Sequence, residues 1–294
     1  MRALVDRFRT QRSAIVAVAF LLLLALLAVC APLVANLLGA DMTAVDLYHR
    51  FEGPSLTHPL GTDELGRDVL VRLLYGARVS LAVGIIGALA ASVVGTLIGL
   101  AAGLSGGRGD AVLMRFTDGV IALPLLPLLI VLAAADPTKI GLSESFARAG
   151  EGGLLRISII VALVGWTTVA RLVRGAALTL REREYVLAAA ALGASRLRIA
   201  FVHILPNAAG PIVAATALAV GNVILIESVL SFLGLGIQPP AASWGNMLTN
   251  AQEMMMSSPG LALYPGLLIL GTVVACNVAG DGIEAALDPR TTTE

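Results

Sequence analysis

Long uncharged apolar runs alternate with short charged stretches along nearly the whole chain. A helix needs about 20 apolar residues to cross a hydrocarbon core of about 30 Å. On that measure the pattern predicts six transmembrane helices, over 13–38, 79–104, 119–135, 155–173, 207–232 and 261–280. The fourth is marginal, because its uncharged part covers only 157–170; Arg156 and Arg171 at its ends must reach outward to water. The predicted fold class is an all-α membrane protein. Residues 1–12 form a cytoplasmic N-terminus, 13–290 a single transmembrane domain and 291–294 a short tail. A cleaved signal peptide has a similar basic start, but the first run is long enough to span and others follow it.

The intervening stretches refine this picture. Small residues in the second span (Gly84, Gly87, Ala88, Ala91, Gly95 and Gly99) allow close helix contact, which in lipid takes over from the hydrophobic effect. The third span contains Pro124 and Pro127, which either turn freed carbonyls toward a polar path or make a packing kink. Before the second span, Leu65, Val69, Leu70, Leu73 and Leu74 share one stripe, and Asp68 and Arg72 stand one turn apart. That spacing predicts an outer amphipathic helix lying in the interface plane. Asp110, Arg115 and Asp118 mark a short inner loop, and 136–156 reads as a polar outer loop without a motif. Residues 233–260 are too rich in Gly, Pro and Ser for one helix, and the run Met254, Met255, Met256 reads as interface packing.

Charge sets the orientation. With both termini inside, inner segments hold 13 Arg and outer segments hold 7 Lys and Arg, the bias that cytoplasmic loops carry. Six of those arginines lie between Arg171 and Asn207, so the stretch from 174 to 206 is a cytoplasmic loop. Its chemistry predicts an elbow. Ala188 to Ala191 favour helix, Gly193 suits the left-handed position after it, Ser195 can cap a second short helix, and Pro206 stops that helix before the fifth span. An Ala-rich connector with no partner is the plainer reading of the same residues.

Composition narrows the chemistry. The chain is 57% hydrophobic and 14% charged, its net charge is zero, and its only lysine is Lys139. A phosphate-binding P-loop needs Gly-Lys-Ser/Thr, and Thr138 precedes this lysine, so no Walker-type ATP site exists here. Gly103 to Asp110 fits a tight turn between spans. Cys30 and Cys276 fall in different apolar runs and read as small apolar residues. His49, His58 and His203 lie in separate segments without metal-ligand spacing, no nucleophile elbow is present, and the arginines sit at a membrane face rather than on a nucleic-acid surface. The sequence therefore offers neither a catalytic nor a metal site, and no cofactor. Glu227 is the one carboxylate within a predicted span. About 30 Å of helix separates it from Asn207, which places it near the outer interface, in either a gate-packing or a substrate-contacting role.

The loop residues carry a resemblance. Ala188, Ala189, Gly193, Leu205 and Pro206 fall on the coupling-loop pattern of ABC-importer permeases (E-A-A, three residues, G, nine residues, I-x-L-P). Leu187 stands in the Glu position and His203 in the Ile position; Glu184, one turn before Leu187, can supply the carboxylate. The segments "LGTDELGRD", "ESVLSFLGLGIQPPAASWGNML" and "GDGIEAALDPR" are similar to the dipeptide/oligopeptide/nickel permeases, and the chain looks like their C-type subunit. The resemblance implies a six-span permease in a bacterial inner membrane, forming half of a path for di- or oligopeptides, nickel or another small solute. It also implies a second permease, two cytoplasmic ATPases carrying ATP and magnesium, and an extracytoplasmic binding protein. The rival is a stand-alone secondary transporter or channel, which needs ion-coupling carboxylates near the midplane, where Glu227 is off-centre.

Overall fold

The computed structural model describes residues 11–135, 138, 151–249 and 254–287. Arg2, Arg7, Arg9, Lys139, Arg148 and Arg290, which entered the charge count, lie outside the described residues, as do the 291–294 tail and most of the expected outer loop at 136–150. Within them the fold is helical: α1 Arg12–Val29, α2 Ala31–Leu38, α3 Val69–Ser105, α4 Gly107–Ala122, α5 Leu125–Ala134, α6 Glu151–Leu180, α7 Glu184–Ala191, α8 Arg196–Phe232 and α9 Gly260–Leu287. Five of these are long and apolar enough to cross a membrane, and the pair α4–α5 makes a sixth if its bent halves count as one span.

α3 and α6 form the central pair, and they run parallel. Gly95, Gly99 and Gly103 recur every four residues and face Trp166, Ala170 and Ala177. A Cβ on Gly99 would lie 2.5 Å from the carbonyl oxygen of Ala170, so only glycine allows this approach. α8 runs antiparallel to α3, with Thr216 Oγ1 donating to Ser92 Oγ (2.7 Å) midway, and α9 and then α1 complete the layer. Gly99→Leu is expected to force α3 from α6 and cost about 2–5 kcal/mol, the range of severe packing defects. Thermal unfolding in detergent measures it, with exposed Gly175, which has open space beside it, as the control position.

The structure corrects several expectations. The outer amphipathic helix and the second span are one helix: α3 begins at Val69, where the Asp68 carboxylate accepts from the Val71 N–H (2.8 Å). At 37 residues it is ~55 Å long, more than a bilayer core requires. The stripe expected to lie on lipid is instead covered by protein, Val69 and Leu73 packing with Leu24, Ile224, Trp244 and Ile269. Arg72 is buried and pairs with Asp63 (3.3 Å) rather than Asp68.

The short inner loop at Asp110–Asp118 is helical, as part of α4. The third span therefore starts earlier than 119 and bends by 85° at Leu123–Pro124. Pro124 ends the first half and starts the second; Pro127 sits in the first turn of α5, where its missing N–H has no helical partner to lose. α6 extends past the predicted fourth span to Leu180, so Arg174 to Leu180 belong to helix rather than loop. Its arginines do not snorkel freely. Arg156 donates to the carbonyls of Ala133 and Ala135 (2.9 Å for the latter), capping the C-terminal end of α5, and Arg171 pairs with Asp118 (2.5 Å).

Pro206 does not stop a helix. A π-helical stretch, Ile199–Ile204, carries the second elbow helix straight into Leu205–Phe232, and Pro206 falls in the first turn of that stretch. Helix also persists beyond the predicted sixth span, to Leu287, and breaks at Cys30 within the predicted first one.

Candidate functional site

Two clusters stand at opposite ends of the helices. At the end bearing Gly106 and Arg181, α7 is anchored by a single buried residue, Val186, which packs with Leu100, Val169, Val173, Ile199 and Ile204. The rest of the elbow faces outward, with Leu187 56%, Leu192 89% and Leu197 71% exposed. Leucines this exposed are costly in water unless something covers them.

The elbow itself is a tight reversal. The Gly193 N–H donates to Ala190 O and the Ala194 N–H to Ala189 O, both 3.0 Å, the paired bonds of a Schellman turn. Gly193 has φ 86°, and no atom lies within 4 Å of where its Cβ would be. Its need for glycine is thus conformational, not steric. Ser195 Oγ accepts from the Arg198 N–H (3.3 Å), so the next helix starts at once. The His203 ring stands tilted against Tyr185, centroids 6.4 Å apart, which joins α7 to the π-helical stretch. Ala189, Leu192, Gly193, Ala194, Arg198 and His203 line a hollow of about 320 Å³. Of the remaining residues in the sequence pattern, Glu184 and Ala188 are exposed on α7, Leu205 is partly buried below it, and Pro206 is exposed.

At the other end Glu227 is wholly buried and both its oxygens are engaged. Ser80 of α3 donates to Oε2 (3.1 Å) and Ser231 donates to Oε1 (2.7 Å). Each serine oxygen accepts in turn a backbone N–H from the segment after α8: Trp244 on Ser80 (3.2 Å) and Ile237 on Ser231 (3.0 Å). The Trp244 indole donates to Leu73 O (3.1 Å), and Asn246 Nδ2 donates to Ala241 O (2.7 Å). A non-helical segment is thereby held in an apolar setting with its polar groups paired, the condition for burying it. Beside it Asp63 accepts from Arg67 Nε (2.8 Å) and lies 3.3 Å from Arg72 Nε, while His58 Nδ1 is 2.9 Å from Asp68.

Pro124 and Pro127 are not brought to Glu227; α5 instead buries Leu129 and Ala133 against Ile157, Val161 and Leu230. Among the described residues no three His, Cys, Asp or Glu side chains converge as metal ligands. Sequence reasoning passed over Ser80, Ser231 and Trp244. Ser231 carried a signal, since it stands four residues after Glu227 on the same helical face, and Trp244 lies in the same family-like segment as Glu227; Ser80 is distant in sequence and carried none.

Residues 95–293 match the family model described as binding-protein-dependent transport system inner membrane component. The chain is 37% identical over 284 residues to an oligopeptide transport system permease protein of Bacillus subtilis (strain 168), covering 97% of this chain and 88% of that one. It is 39% identical over 285 residues to a glutathione transport system permease protein of Pectobacterium atrosepticum (97% and 89% covered). Against a dipeptide transport system permease protein of Haemophilus influenzae it is 35% identical over 286 residues (96% and 92% covered).

Proposed function

This chain belongs to the binding-protein-dependent transport system inner membrane components, and from that premise we propose that it forms half of a path carrying di- or oligopeptides into the cell. It is a multi-pass inner-membrane permease subunit of an ABC importer. In the proposed complex a second permease supplies the other half of the path. Two cytoplasmic ATPases hold ATP and magnesium, and an extracytoplasmic binding protein delivers cargo. Both termini of the chain lie in the cytoplasm.

The observation that carries this reading is the elbow, whose leucines face outward around a short helix with one buried residue, Val186, and the Tyr185–His203 contact to hold it. Such a surface fits a groove on a partner, and ATP-driven closure of the ATPases would displace it. The Glu227 cluster, with both carboxylate oxygens already engaged, supports a packing role at the outer mouth rather than a cargo ligand. The peptide class rests on the names of the relatives.

Two outcomes are expected. The purified chain alone hydrolyses no ATP and moves no peptide in liposomes, whereas its complex with the ATPases and the second permease does both when the binding protein is present. Gradient-driven uptake by the chain alone would support the stand-alone transporter instead. In intact cells a cysteine at Ser55 is labelled from outside, and one at Ser195 only after the membrane is opened; the reverse pattern would remove the elbow from the cytoplasm.

A further inference from the structure

A second recess, separate from the elbow, opens between α4 and α6. It measures about 520 Å³ and is lined by Ala111, Met114, Arg115, Asp118, Arg171 and Arg174. Arg174 grips Asp110 with both arms of its fork (2.5 and 2.6 Å), and Arg171 Nη2 lies 2.5 Å from Asp118. These pairs hold two guanidinium groups in place without using all their donors, since each group has five N–H bonds. Arg115 is exposed and makes neither an ion pair nor a hydrogen bond among the described residues. Three guanidinium groups thus meet two carboxylates, leaving a net positive recess.

The surroundings define the ligand. Val112, Arg115 and Phe116 occupy one stripe of α4, and Val112 and Phe116 are 68% and 62% exposed. Phe116 stacks on Trp166 of α6, rings 6.0 Å apart and 15° from coplanar. Arg115 lies ~12 Å along the helix from Gly107, where the chain turns in from the cytoplasmic side. A cation flanked by exposed apolar side chains at that depth belongs at the level of the lipid headgroups. We propose that the recess binds the headgroup phosphate of an anionic phospholipid of the inner leaflet, with its acyl chains lying along Val112 and Phe116. Basic pockets between spans on the cytoplasmic side suit such headgroups. The choice of leaflet rests on the orientation proposed above, but the headgroup chemistry does not. The site adds a lipid ligand to the transport role, and two of its arginines stand on α6, the helix that leads into the elbow.

Native mass spectrometry of the detergent-solubilised protein, with whichever subunits copurify, tests this. Phosphatidylglycerol, phosphatidylcholine and inorganic phosphate are titrated separately and in competition. The expected result is retention of phosphatidylglycerol where phosphatidylcholine is lost, with no displacement by millimolar phosphate. Arg115→Gln should weaken retention roughly fivefold, and Arg115→Gln with Arg171→Gln on the order of thirtyfold. Arg115→Lys should keep most of it, and Arg50→Gln at the other face should change nothing. Arg115 is exposed and holds no ion pair or hydrogen bond among the described residues, so its single variant reads binding rather than folding. Equal retention of phosphatidylcholine, or unchanged retention in Arg115→Gln, would overturn the site. Displacement by phosphate would overturn the lipid in favour of a soluble anion.

Discussion

Valine at position 193 is expected to abolish peptide uptake while leaving the protein inserted and abundant. Gly193 sits at φ 86° with open space around its missing Cβ, so a larger side chain meets no clash. The whole effect comes from forcing a β-branched residue into the left-handed region, which costs about 1–3 kcal/mol. α7 is eight residues long and buries only Val186, with the Tyr185–His203 contact beside it, so that strain is relieved most cheaply by tilting the elbow. The packing of the spans is not involved. Gly193→Asn, which tolerates the same φ, should retain most uptake. Membrane abundance, ATPase copurification and uptake of a dipeptide are measured for each variant. Uptake at the unmodified rate in Gly193→Val would make the loop a plain connector. Glu184→Ala asks separately whether Glu184 replaces the carboxylate that the family pattern has at Leu187.

The second large effect is at Glu227. Glu227→Ala strands the hydroxyls of Ser80 and Ser231 in an apolar setting and leaves a cavity. Together these should destabilise the outer end by roughly 3–5 kcal/mol. Glu227→Gln keeps the shape and one acceptor, and should cost about 1 kcal/mol. Because Ile237 and Trp244 are held through those serines, the alanine variant should also expose 234–249 to added protease. A melting temperature within a degree of the parent for Glu227→Ala would show that the hydrogen-bonded cluster does not hold this segment.

What the sequence made legible was whatever depends on neighbours along the chain. The apolar runs, the Gly193 reversal and the Ser195 cap are local, and periodicity or capping chemistry reveals them. Helix ends were harder. Charge suggested that the fourth span ended at 173 and that the second began only at 79, apart from the amphipathic helix before it, but Arg171 finds Asp118 on α4 and Arg72 finds Asp63, and paired charges do not end helices. Pro206 misled for a related reason: proline breaks a helix only where it removes a bond, and the preceding π-helical turns place it where it does not. The Glu227 cluster joins residues up to 171 positions apart, and no pattern within one sequence reports such a meeting.

The continuity of α8 gives the molecule a lever. One unbroken helix joins Arg196 at the elbow to Glu227 at the outer cluster, and its Thr216 is hydrogen-bonded to Ser92 in between. Taking that bond as the fulcrum, the inner arm is ~30 Å long and the outer arm ~16 Å. If the rod tilts as one body, a displacement of about 5 Å at the elbow appears as about 3 Å in the opposite direction at Glu227. Pushing on the cytoplasmic end would then open or close the outer mouth with reduced travel and increased force.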